Sequence, residues 1–379
     1  MKTRKYAKAF RIKLIALSLF SAALCCQGAE IHAEKPGRQA LFNVGYKVLD
    51  IKYQKDGLEQ TLTLAVWYPA EEQPDAYNYG GSTEGSVALD AMPCAKNGPY
   101  PLLVFSHGYG GSGLSAVFFT EALAARGWIV ACPDHHDKYP AMRIKTGQEK
   151  NLDRQAFLES VKEIVNSSPD DRGKFLYRID EISIAIDGIV NSGTFGKFID
   201  TDRIAAGGHS FGGFTALGIS GAIKERHNPR IKAVLLFSTG AGAYLFRDDE
   251  LSSVRIPSML FMGEREKNQM RGSRTMLELS DRIYNNLPVP KYFLEVKGAN
   301  HFSFNNRLSD NFRIIPLAGT EKQFEVIRRY SIAFLEKYVS GKQGRDKALE
   351  HSDPMLTRYT IKLFEQEINK GVLPKDASD

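Results

Sequence analysis

The chain has 379 residues, 43% hydrophobic and 25% charged, with a formal net charge of +6 at pH 7. That length can bury one large core, and no internal repeat or low-complexity linker divides it. The charge is concentrated at the start, where Lys2, Arg4, Lys5, Lys8, Arg11 and Lys13 form a basic region ahead of the apolar stretch Leu14 to Cys26. Small residues follow at Cys26 and Gly28, and the apolar stretch is short for a bilayer span, so residues 1–28 are expected to be a cleaved secretory signal. An uncleaved N-terminal anchor is the alternative. Lipidation is disfavoured, because Leu24 and not a small residue precedes Cys25. Loss of the segment removes six bases and no acid and leaves a neutral chain, which argues against nucleic acid or an acidic membrane as a partner. The mature protein is expected to be secreted or periplasmic, with no stable membrane span. Cys94 and Cys132 then remain, a candidate disulfide in an exported chain and not in metal-binding spacing.

Residues 42–55 and 60–69 alternate apolar and polar around Gly57, the pattern of an antiparallel hairpin. Pro101 to Ser106 is a continuous apolar run of the buried parallel type, followed by a glycine-rich loop from Gly108 to Gly113 and a helix near 116–126. Trp128 to Pro133 is a second such strand. The charged stretch 138–172 interrupts the alternation. Leu152, Ala156, Phe157, Val161, Ile164 and Val165 share one face of a short helix within it, a candidate lid. Helical spacing over 175–190 leads to a short strand at Arg203 to Gly207. Further strands are expected at Ile231 to Phe237, Ser258 to Met262 and Lys291 to Val296, then a long helix through Phe324, Ile327, Phe334 and Tyr338. Residues 342–379 suggest a charged connector and a terminal helix through Leu356, Tyr359 and Leu363. Strands alternating with helices after a hairpin imply a mainly parallel, doubly wound α/β sheet.

Ligands of such sheets collect at the carboxyl ends of the strands. Gly208-His209-Ser210-Phe211-Gly212 lies between a strand and a helix, the setting of a nucleophile elbow, with glycines where side chains would strike backbone. A serine hydroxyl needs a base to act as a nucleophile. In chain order serine, acid, histidine, the base is His301, directly after the last strand; His135 and His136 fall on the wrong side of Ser210. The acid lies between them. Glu266, in Met262-Gly263-Glu264-Arg265-Glu266 after a strand, is the first candidate and Glu264 the second. The amides of Phe211 and of Tyr109, in Ser106-His107-Gly108-Tyr109-Gly110-Gly111, would form an oxyanion hole, with His107 pinning the loop and Gly108 part of it. No metal or other cofactor is expected.

His107 to Gly111, Gly208 to Gly213, and Leu123 to His135 together resemble the platelet-activating-factor acetylhydrolase-like and dienelactone-hydrolase-like branch of the α/β hydrolases, near the polyester hydrolases and cutinases. Val66-Trp67-Tyr68-Pro69 fits as well, and the resemblance covers about residues 42–340. It implies an α/β-hydrolase domain over 29–341, acting without a metal on short acyl esters of small-molecule, lipid or polyester kind. It also implies one departure. Mammalian acetylhydrolases of this family take their acid just after the strand that follows the elbow helix, where this chain has Leu236-Phe237-Ser238-Thr239-Gly240 and no carboxylate. An amidase or peptidase on the same triad, and a binding protein on a hydrolase scaffold, are the competing readings.

Overall fold

The computed structural model describes residues 41–306, 318–341 and 346–364; the expected signal segment lies outside them. Strands β1 (Asn43–Lys55) and β2 (Leu58–Ala70) pair antiparallel along their whole length, from Asn43 opposite Ala70 to Lys55 opposite Leu58. Asp56 and Gly57 turn the chain between them with φ of 51° and 76°, the positive pair that a two-residue hairpin loop demands. A second hairpin, β3 (Asp75–Gly80) with β4 (Thr83–Leu89), was not expected; much of it faces solvent, so it carries no continuous apolar signal.

The core strands are β5 (Tyr100–Ser106), β6 (Ile129–Pro133), β7 (Ile199–His209), β8 (Ile231–Phe237), β9 (Ser258–Gly263) and β10 (Lys291–Val296). With β11 (Leu356–Lys362) they complete an eleven-stranded sheet in the order β11-β10-β9-β8-β7-β5-β6-β2-β1-β4-β3. From β6 to β10 all neighbours run parallel, as expected. The stretches of these strands that lie between the helical layers are mostly apolar, because helices cover both faces; only the start of β7, Asp200 to Arg203, and Lys232 of β8 reach solvent. Leu103 and Phe105 join the cluster beneath α1 (Val117–Ala124) and α7 (Glu321–Tyr338). Leu102 and Val104 join the opposite cluster, under α3 (Tyr177–Val190), α4 (Phe211–Leu217), α5 (Asp248–Ser252) and α6 (Met276–Asn286). The remaining helix, α2 (Arg154–Asn166), lies inside the 138–172 insertion.

Two expectations need correction. The tail does not end in a helix through Leu356, Tyr359 and Leu363: Leu356–Lys362 is a strand paired antiparallel with β10, so the sheet extends past residue 341. Alternate Thr357, Tyr359 and Ile361 are good strand formers, and β10 offers them an open edge. Cys94 and Cys132 are both buried free thiols. Cys132 pairs with Ala65 of β2, whereas the Cys94 amide bonds to the Pro69 carbonyl. Those points on β2 are four residues apart, roughly 13 Å at the strand rise, beyond the reach of a disulfide.

Candidate active site

Ser210 stands between the end of β7 and the start of α4, with φ 54° and ψ −118°. This is backbone that a residue with a side chain seldom adopts. The turn is tight enough that a Cβ at Gly208 would strike the Gly212 carbonyl, and one at Gly212 the Ser106 carbonyl at the end of β5. The Ser210 amide donates to the Phe237 carbonyl at 2.8 Å, which ties the turn to β8.

His301 opens a short 3₁₀ turn just past β10. Its Nε2 is 2.9 Å from Ser210 Oγ, and its Nδ1 is 3.1 Å from Glu266 Oε2. Glu266 is fully buried, and its other oxygen accepts the Gly263 amide at 2.7 Å. Glu264 faces elsewhere and accepts the Gly298 amide at 2.7 Å, so of the two candidate acids only Glu266 meets the imidazole. Two groups that the sequence reading had not singled out also hold His301. His209 Nε2 donates to the His301 carbonyl at 2.9 Å; burial, and then the neighbouring His301 ring, push His209 down to about 3 and keep it a neutral donor. The Ser238 hydroxyl, at the end of β8, is 2.6 Å from His301 Nδ1 and 2.7 Å from Glu266 Oε2.

The Tyr109 loop runs along the other side of Ser210. A Cβ on Gly108 would lie 3.3 Å from that of Ser210. Phe211 begins α4, so its amide has no acceptor within the helix. The rings of Tyr109 and Phe211 meet edge to face at 6.0 Å. Phe157 of α2 stacks on Tyr109 at 5.9 Å, and the Tyr109 hydroxyl is 2.9 Å from Ser160 Oγ. The insertion therefore rests directly on this loop.

Beneath the loop lies a buried polar scaffold. His107 Nε2 accepts the His135 amide at 3.1 Å, which leaves the proton on Nδ1 to donate to the Gly108 carbonyl at 2.6 Å. Burial, with the Arg178 charge beside it, pushes His107 down to about 3. Asp137 accepts the Gly110 amide at 2.7 Å and the Tyr177 hydroxyl at 2.7 Å, and its carboxylate lies 3.0 Å from Arg178 Nε. The Arg178 guanidinium also sits over the Phe211 ring, 5.0 Å from its centre. One fully buried ion pair thus touches both segments flanking Ser210. Loss of either partner would strand the other as a buried charge, at a cost of about 3–5 kcal/mol.

His135 belongs to the same scaffold. Ser106 Oγ lies 2.8 Å from His135 Nε2, and His135 Nδ1 lies 2.7 Å from Glu181 Oε2. This is a second serine–histidine–glutamate run, but Ser106 and His135 are 0% exposed and Glu181 2%, so no substrate reaches it. Burial holds His135 well below its ordinary pKa, and the run braces the end of β5 as a hydrogen-bonded strut.

A strained serine at a strand–helix elbow, a histidine after a later strand and a glycine-rich loop beside them define the α/β-hydrolase class. The chain matches the family described as platelet-activating factor acetylhydrolase, isoform II, over residues 76–355, and it belongs to that family. It is a carboxylic-ester hydrolase. It is 24% identical to Cutinase 2 of Thermobifida cellulosilytica over 274 residues, 71% of this chain and 79% of that one. It is 26% identical to the platelet-activating factor acetylhydrolase of Gallus gallus over 301 residues, 69% of this chain and 68% of the relative. The fold is shared with a ferulic acid esterase from Streptomyces cinnamoneus, with a TM-score of 0.62, 20% identity, and coverage of 84% of this chain and 96% of the other.

Proposed function

We propose that this protein is a secreted serine esterase that cleaves short-chain acyl esters through an acyl-enzyme on Ser210. His301 Nε2 takes the Ser210 proton as Oγ attacks the ester carbonyl. The oxygen that gains charge is held by the Phe211 and Tyr109 amides, and Glu266 stabilises the imidazolium through Nδ1. Collapse of the tetrahedral intermediate breaks the bond to the alcohol oxygen, which leaves with the proton from Nε2. Water then enters, gives its proton to Nε2 and attacks the acyl carbon; the acid departs and Ser210 recovers its proton. The observation that carries the reading is the unbroken contact from Ser210 Oγ to His301 at 2.9 Å and on to Glu266 at 3.1 Å.

The preference for short acyl groups is in keeping with the rings of Tyr109 and Phe157, which pack on each other beside the oxyanion loop. On this reading the 138–172 insertion, which touches Tyr109 through Phe157 and Ser160, serves as a lid or wall of the site. The ester-hydrolase names of the acetylhydrolase and cutinase relatives agree with lipid or polyester esters as the wider substrate class. Export is supported by the basic and apolar pattern of residues 1–28, and among the described residues no helix is long and apolar enough to cross a membrane.

A series of p-nitrophenyl esters from acetate to palmitate, assayed beside peptide substrates and with and without EDTA, tests the proposal. The expected result is the highest kcat/KM at acetate or butyrate, a steep fall towards palmitate, no peptide cleavage and no effect of chelator. A rate that climbs with chain length, efficient peptide cleavage, or activity lost to EDTA and restored by a divalent metal would overturn it.

A further inference from the structure

Ser238 is a buried serine that shares with Ser210 a positive φ. Among the described residues, five without a glycine backbone have positive φ. Three of them are Asp56, Asp90 and Asn97, residue types that tolerate this conformation, and the other two are Ser210 at 54° and Ser238 at 48°. The two serines end neighbouring strands. The Ser210 amide donates to Phe237 at the end of β8, and the Ser238 amide donates to Phe261 of β9, each at 2.8 Å. Strain held at a fully buried position is kept only when something is gained from it. Here it brings the Ser238 hydroxyl to 2.6 Å from His301 Nδ1 and 2.7 Å from Glu266 Oε2.

Counting protons at this junction fixes its direction. A carboxylate has no hydrogen to give, so the contact to Glu266 must be made by the Ser238 O–H. The hydroxyl oxygen then faces Nδ1 with lone pairs only and accepts the imidazole proton. Nδ1–H thus has two acceptors, the hydroxyl at 2.6 Å and the carboxylate at 3.1 Å, and the nearer is the hydroxyl.

We propose that Ser238 is a positioning residue, which accepts the His301 Nδ1 proton while donating to Glu266, so that the carboxylate acts on the imidazole largely through this hydroxyl. The inference rests on the Ser210–His301–Glu266 reading above. It makes the acid of this enzyme a unit of two side chains, one from the end of β8 and one from the turn after β9. Ser238 never touches substrate. Its contribution is to hold the ring with Nε2 aimed at Ser210 Oγ and to give the imidazolium a short, polarised acceptor.

The test is a double-mutant cycle on p-nitrophenyl acetate hydrolysis. Removing a hydrogen bond to a group that becomes charged is worth about 10- to 100-fold in rate. Ser238→Ala should lose about that factor in kcat with KM within roughly twofold. In a Glu266→Gln background the same change should cost less than about threefold, because the unit is already broken. Ser238→Gly, which accepts φ 48° without strain, should match Ser238→Ala and so separate the lost hydroxyl from a disturbed backbone. Ser238→Asp should restore at least about tenfold of the rate lost in Glu266→Gln, since it returns a carboxylate beside Nδ1. A wild-type kcat in both Ser238→Ala and Ser238→Gly, or an equal loss in both backgrounds, would overturn the proposal. Undiminished turnover by Ser210→Ala would instead overturn the underlying triad, a separate result.

Discussion

Ser210→Ala is expected to fold like the wild type and to hydrolyse p-nitrophenyl acetate at least about 10³-fold more slowly, with the loss in kcat. Alanine keeps the Cβ that the elbow already accommodates at φ 54°, and no glycine of the turn is disturbed. The tie between the Ser210 amide and the Phe237 carbonyl involves backbone alone and survives. What disappears is the oxygen 2.9 Å from His301 Nε2, the atom on which the acyl group would be carried. The Phe211 and Tyr109 amides proposed to hold the oxyanion persist, so a weak water reaction is the expected residue of activity. Rates for the purified variant, beside its thermal unfolding, check this directly.

The second large effect separates two glutamates that are neighbours in sequence. Glu266→Gln should lower kcat by up to about 10⁴, whereas Glu264→Gln should leave it near the wild-type value. Glutamine is isosteric, but its amide presents a donor where His301 Nδ1–H and the Ser238 hydroxyl both need an acceptor. Turning the amide over to satisfy them would put its NH₂ against the Gly263 amide, itself a donor to Glu266 Oε1. Glu264 makes its bond to the Gly298 amide and has no part in that junction. Comparable rates for the two variants would show that the acid is neither of them.

The contrast between these glutamates marks where sequence reasoning stops. The apolar runs of β5, β6, β8, β9 and β10 are visible in the sequence because burial on both faces suppresses polar residues. The elbow is visible because its geometry admits only glycine on either side of the serine. The proposed acid is harder to read, because 264 and 266 both follow β9, and only the way the turn folds decides which carboxylate faces inward. Ser238, Arg178 and the Ser106–His135–Glu181 strut were missed for a related reason. Each acts through partners 28 to 63 residues away, as with Ser238 and its partners Glu266 and His301 or Arg178 and Asp137, and nothing in the local pattern announces such a contact. Strand β11 was misread because Leu356, Tyr359 and Leu363 happen to keep helical spacing. Its fate is decided by the free edge of β10, a tertiary fact. Helix α6 carries its own helical signal in Met276, Leu279 and Ile283.

Covalent labelling tests whether Ser210 is an activated nucleophile, without any assumption about the natural ester. A fluorophosphonate loses fluoride when a serine oxygen attacks its phosphorus, and ordinary serine hydroxyls react far too slowly to be labelled. The measurement is incubation of the purified protein with a fluorophosphonate probe, followed by intact-mass and peptide mapping. One adduct per chain, on Ser210, with loss of esterase activity in step with labelling and no adduct on Ser210→Ala, is the predicted result. An active enzyme that stays unlabelled, or carries its adduct on a different serine, would contradict the account.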